Sequence, residues 1–302
     1  MDNRLKIINK RRDNYMSKKE KFSFSKLSCY GNCPKNYYLT YIEHVKRSQN
    51  IYGSAGGDAH ELTQALEIGE ITNEQAVEEW ELKMDMYEFC GEANFPTINA
   101  KKNYITDVTA YFRNFKPIPI NGREVLIEKE FEVEIENIII RGFIDLTLID
   151  HNKKEIEVID YKTSSKSGFT NKNLIKKCYQ LILYSLALQK LYPDYKIVKC
   201  AFDMLKYGKH KETGKVKERK DIPPEKESEY ERYFIEIPFN EENIDLFKEF
   251  VNKSMEDINK AKEEDLWEVN KTNFSFFCKN LCSTAEHCEE YQKYKNKSNK
   301  RK

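Results

Sequence analysis

The sequence predicts an α/β fold: a mixed β-sheet core flanked by helices, with a helical insertion and a C-terminal cysteine-bearing tail. Three observations predict it. Strand-length apolar segments follow one another at EVLIEKEFEVEI, IIIRGFIDLTLID and EIEVIDYKT, with turn-like residues around Glu136-Asn137 and His151-Asn152 between them. A long helical pattern through Leu191 then separates these from two further strand-like segments, KIVKCAFDML and RYFIEIPF. Cys278, Cys282 and Cys288 crowd together near the end of the chain.

The elements read as follows. Residues 1–21 form a basic arm. Ser25 is placed to cap a short helix carrying Leu27 and Tyr30, and Pro34 suits the first turn of a second helix. Glycines at 53, 56 and 57 precede a helical pattern that carries His60 and Leu66. Together with the helices expected over residues 74–115, this gives a helical insertion at about 60–118, which Pro117 and Pro119 terminate. The core is expected at about 122–240 and contains the three strands, plausibly a meander. It continues through a helix opened by Thr170-Asn171 and stopped at Pro193, and ends with the last two strands around a basic insert at 206–220. A final helix over about 241–264, a cysteine tail at about 270–291 and a basic tail at 292–302 complete a single domain spanning 22–291.

At 302 residues, with 39% hydrophobic and 33% charged residues, the chain has the composition of a globular protein with a charged surface. No apolar run approaches the roughly 20 residues that span a bilayer, and the first residues lack the apolar core of a secretory signal, so a cytoplasmic location is expected. Net charge is only +1, but basic residues cluster. Residues 206–220 carry seven Lys/Arg against two acids, a pattern that suits either solvent or a phosphate backbone. No Gly-x-x-x-x-Gly-Lys-Ser/Thr motif is present, so no ATP-driven motor is expected.

The chemistry concentrates in two places. Asp145 and the pair Asp160 and Lys162 fall on adjacent predicted strands joined by a short turn. Asp160 and Lys162, two residues apart, project from one face. Two carboxylates bind hard Mg²⁺ or Mn²⁺, and a neighbouring ammonium offsets charge developing on a phosphate. A solvent-facing salt bridge is the bland alternative. The second place is Cys278-x₃-Cys282-x₅-Cys288, thiolates spaced to wrap one metal centre and in want of a fourth ligand. Cys33, Cys29 and His287 are candidates for it. The remaining cysteines, Cys90, Cys178 and Cys200, are expected to be small buried hydrophobes.

The order Gly-His60, Gly-x-Ile-Asp145, Ile-Asp160-Tyr161-Lys162, then Gln180-x-x-x-Tyr184 resembles the RecB-like branch of the PD-(D/E)XK nuclease superfamily. The opening Ser23-Phe-Ser25-x-Leu27-x-x-Tyr30-x-x-Cys33-Pro34 also looks like that branch. The resemblance implies a restriction-endonuclease-like sheet and a metal held by His60, Asp145, Asp160 and the Tyr161 carbonyl. It also implies catalysis through Lys162, with Gln180 and Tyr184 positioning substrate or water. Glu128 can add a carboxylate for a second metal, although a strand-surface role suits it better.

The cysteines resemble those of the iron–sulfur subgroup, which includes AddB, CRISPR-associated RecB-like exonucleases and phage exonucleases. That likeness makes Cys33 the fourth ligand of a [4Fe–4S] cluster, with zinc as the alternative occupant because the first gap is three residues instead of two. It implies an exonuclease acting on single-stranded DNA or DNA ends, with a recombination or CRISPR-adaptation protein as a partner. A structure-specific endonuclease and a catalytically idle binding protein are the alternatives.

Overall fold

The computed structural model describes residues 20–169 and 171–299, without side chains for 171–177 and 299. The expected basic arm and the last residues of the basic tail therefore lie largely outside the described residues, as does the Thr170 cap. A seven-stranded mixed sheet is flanked by helices on both faces, as the sequence predicts.

A two-residue strand β1 (Lys21–Phe22) leads into α1 (Phe24–Asn32) and α2 (Pro34–Tyr41). The cap of α1 is Ser23, whose side chain accepts from the Lys26 amide, and not Ser25. Ser25 is already helical and hydrogen-bonds the Ser23 hydroxyl instead. Three helices follow: α3 (Ile51–Glu67), α4 (Asn73–Phe89) and α5 (Ile98–Arg113). Asn50 caps α3, so the helix starts before the glycines and runs through them. An added Cβ at Gly56 would lie 3.4 Å from the Thr163 hydroxyl, and one at Gly53 would lie 3.5 Å from the capping Asn50 side chain. Thr72 and Gln75 form a capping box on α4.

β2 (Glu124–Ile135) and β3 (Ile138–Asp150) make a hairpin whose two turn residues, Glu136 and Asn137, both take left-handed φ. This is the primed turn that matches strand twist. β4 (Glu155–Lys162) continues the meander antiparallel to β3. α6 (Asn171–Leu191) then crosses over, and β5 (Lys196–His210) returns parallel to β4. β6 (Val216–Glu218) and β7 (Tyr230–Glu236) both pair antiparallel with β5. The basic insert is thus largely strand: β5 runs five residues into it and β6 folds back on it. α7 (Glu241–Glu264), α8 (Phe277–Asn280) and α9 (Glu289–Asn299) close the chain.

Two apolar cores lie on opposite faces of the sheet. One joins α1, α6 and α7 to Ile156 and Val158; the other joins α3, α4 and α5 to Ile159 and Tyr161. The alternation along β4 is regular, so Asp160 and Lys162 share a face with Val158. β2 and β3 are not regular. On β3, Ile140 and Ile144 belong to the first core but Leu146 and Leu148 to the second. On β2, Ile127 packs on the second core and Phe131 belongs to the first. Both strands change face across the one ladder position left unpaired, Glu128 opposite Asp145. Glu128 there takes φ +47°, an uncommon conformation for a side-chain-bearing residue within a strand. This irregularity sits at the predicted site.

Candidate functional site

Asp145 stands at the face change of β3, one position beyond the Leu146–Ile159 pair of the β3–β4 ladder. Asp160, Tyr161 and Lys162 finish β4, and His60 approaches from α3. The His60 Nδ1 lies 3.3 Å from Asp145 Oδ2, and the Tyr161 amide donates to the same oxygen at 2.9 Å. Burial alone would raise the Asp145 pKa. His60, Lys162 and the Tyr161 amide outweigh it and hold the carboxyl below its ordinary value.

Asp160 is only 1% exposed. The Lys162 ammonium is in ion-pair contact with its Oδ2, yet neither carboxylate oxygen receives a hydrogen bond of ordinary geometry. Burial, opposed by Lys162 and reinforced by Asp145, pushes this carboxyl up to about 6. A buried carboxylate with one oxygen unpartnered and the other met by a single ammonium is costly, and a hard divalent cation suits those oxygens. The donor set therefore fits Mg²⁺ or Mn²⁺. Among the described residues, no group of three or more His, Cys, Asp or Glu is closed tightly enough to hold a metal ion as it stands. At Asp160 the Lys162 ammonium supplies part of the counter-charge.

Lys162 also donates to Gln180 Oε1 at 3.1 Å, and Gln180 Nε2 donates to the Tyr184 hydroxyl at 2.7 Å. The i, i+4 spacing on α6 thus continues the hydrogen-bond chain from Lys162 through Gln180 to Tyr184. Burial, followed by the charges of Asp160 and Asp145, raises the Tyr184 pKa well above its usual value, so the hydroxyl stays protonated.

Two further residues reach this centre. Gln64, one helical turn after His60, donates to Glu128 Oε1 at 2.6 Å. The Glu128 carboxylate is felt at Tyr184 together with those of Asp160 and Asp145. Glu128 stays exposed on β2, as a strand-surface residue would, with its carboxylate held by Gln64 of α3. The sequence carries no signal for it: Ile127 and Phe131 keep one apolar phase along β2, and their change of face comes from the unpaired position at Glu128 between them.

The cysteines gather at the opposite end of the chain path. Cys33 lies between α1 and α2, and Cys278, Cys282 and Cys288 lie in and after α8. Burial pushes the Cys278 thiol up to about 12, with Cys282, Cys33 and Cys288 adding to it. Cys282 is raised by burial and by Cys33, and Cys288 by burial and by Cys33 and Cys282. The four thiols thus act on one another's charge, although among the described residues no three of them close tightly enough to hold a metal ion. Cys29 is raised to about 12 by burial, then by Cys282 and Cys33 alone, and it accepts a hydrogen bond from Asn36 at 3.2 Å. The His287 Nε2 is engaged by the Lys46 carbonyl at 3.0 Å.

The surrounding backbone is stitched across the two chain ends. Ser48 donates to Ser283 O, Lys35 to Glu268 O, and Thr284 to Asn36 Oδ1 at 2.7 Å. Cys178 and Cys200 are buried as expected. Cys90 is not: it follows the last turn of α4, where the chain leaves the helix at the surface.

No helix among the described residues is long and apolar enough to cross a membrane. The chain is similar to Gene 69 protein of Mycobacterium phage D29, 25% identical over 196 residues, covering 56% of this chain and 69% of that protein. Residues 21–289 match the PD-(D/E)XK nuclease superfamily, a superfamily of metal-dependent nucleases, and the chain belongs to it.

Proposed function

We propose that this chain is a Mg²⁺- or Mn²⁺-dependent deoxyribonuclease that works as an exonuclease on single-stranded DNA or DNA ends. The observation that carries the metal-dependent reading is Asp160, buried beside Asp145 and His60 with Oδ1 unpartnered and Oδ2 met only by the Lys162 ammonium. His60, Asp145, Asp160 and the Tyr161 carbonyl would hold the cation, which polarises the scissile phosphate and acidifies a water when bound. Asp145 is kept ionised by His60 and the Tyr161 amide. Lys162 presents its ammonium from β4, with Gln180 fixing its direction, and offsets negative charge on the phosphate. Tyr184 orients Gln180 as a hydrogen-bonding group and not as a base.

The exonuclease assignment is supported by the motif order shared with the RecB-like branch. The β5–β6 hairpin supports strand holding less than its composition suggests. Lys209 lies 3.8 Å from Glu231, and Lys220 is in contact with Glu218, so part of the basic charge is already matched. The four mutually interacting thiols support a structural [4Fe–4S] cluster on Cys33, Cys278, Cys282 and Cys288, with zinc as the competing occupant. Digestion of end-labelled linear and covalently closed circular DNA tests the assignment. Linear DNA should be degraded from its ends while circles survive; equal loss of circles would make the enzyme an endonuclease.

A further inference from the structure

α4 carries apolar residues on both of its faces. Ala76, Trp80 and Met84 fill the inner core, as an amphipathic helix requires. On the outer face, Leu82, Met86 and Phe89 stand at i, i+4 and i+7 and form a second stripe. They are exposed by 60%, 57% and 94%. An ion pair between Lys101 and Glu88 brings the start of α5 beside the end of α4. It places Ile98, 86% exposed, one turn before Lys101. Single exposed apolar residues need no explanation, but a row of large ones on one helix face marks a contact surface.

The charges around the stripe select its occupant. Glu74, Glu78, Glu81, Asp85 and Glu88 project along one flank by helical spacing, all exposed, and of these Glu88 is paired with Lys101. This flank repels a DNA backbone and an anionic bilayer. Two copies meeting through this face would bring their stripes together only by crowding these carboxylates. What matches both features is a helix whose own apolar stripe is bordered by Lys and Arg. We propose that the outer face of α4 docks a basic amphipathic helix of a partner protein. The surface connects to the rest of the insertion: Lys83 and Tyr87 of α4 hold Asp58 of α3 at 3.1 and 2.7 Å, two residues before His60.

The test uses a fluorescein-labelled synthetic peptide of Leu and Lys patterned as an amphipathic helix, titrated into the full chain and followed by anisotropy. A peptide of the same composition with its pattern shuffled is the control. Saturable binding of the patterned peptide is expected, weakened about tenfold in a Met86→Ser, Phe89→Ser variant and in a Glu78→Gln, Glu81→Gln, Asp85→Asn variant, about 1.4 kcal/mol. These positions are exposed, so both variants should keep wild-type circular dichroism and melting. No binding to the wild type, or equal binding of the shuffled peptide or of the serine variant, overturns the proposal. So does a concentration-dependent dimer in sedimentation that the serine variant abolishes, since the face would then belong to a second copy.

Discussion

Asp160 makes the sharpest chemical demand in the molecule, because its carboxylate is sealed from solvent and lacks hydrogen-bond donors of ordinary geometry. Removing that charge should relieve the metal-free protein. Asp160→Asn in EDTA should unfold at a higher urea concentration than the wild type, by about 1–3 kcal/mol. Mn²⁺ should raise the wild-type midpoint and leave the variant unmoved. A variant less stable in EDTA that still responds to Mn²⁺ would show that Asp160 is a structural residue. At this scale the sequence was legible where residues are local. Asp160 with Lys162, and Gln180 with Tyr184, follow from strand and helix spacing and meet as expected. Gln64 and Glu128 were not legible as a pair, since their contact requires α3 to lie across β2 and Glu128 to take left-handed φ.

At the scale of elements, α3 is fastened to the sheet by one face. His60, Gln64 and Glu67, at i, i+4 and i+7, reach Asp145, Glu128 and Arg232 respectively. Arg232 on β7 is buried and also donates to Asp203 of β5 at 2.6 and 2.8 Å, while Tyr111 of α5 donates to the same oxygen. The helix that carries His60 is thus registered on the sheet by a buried ionic hub of Glu67, Arg232 and Asp203. Arg232→Met leaves Glu67 and Asp203 without their cation, and breaking a buried pair of this kind costs about 3–5 kcal/mol. Urea unfolding should show that loss. The Mn²⁺ dissociation constant, measured calorimetrically below the unfolding transition, should rise because His60 loses its registration. Unchanged metal affinity would separate the hub from the metal centre. The sequence could not show this hub: its members are far apart along the chain, and each alone reads as a surface charge.

Across the whole molecule, the long helix between a run of three strands and a run of two announced a mixed sheet, and α6 provides the crossover that makes β4 and β5 parallel. The two-residue β1, parallel to β3, is too short for any periodic signal. The pinning of the chain ends was legible only in the cysteines, whereas the structure adds backbone hydrogen bonds from residues 35–48 to residues 268–283. Anaerobically purified protein should be brown, with about four iron and about four sulfide per chain; stoichiometric zinc without iron would reassign the thiol site.

The β3–β4 carboxylates and Lys162 are proposed as a metal-dependent hydrolytic centre. Mn²⁺-dependent digestion of labelled single-stranded DNA by the wild type and Lys162→Ala tests it most directly. Wild-type protein should digest the strand only with the metal, and the variant should be slower by about 10²–10³-fold while remaining folded. Equal activity in the two proteins would contradict the account.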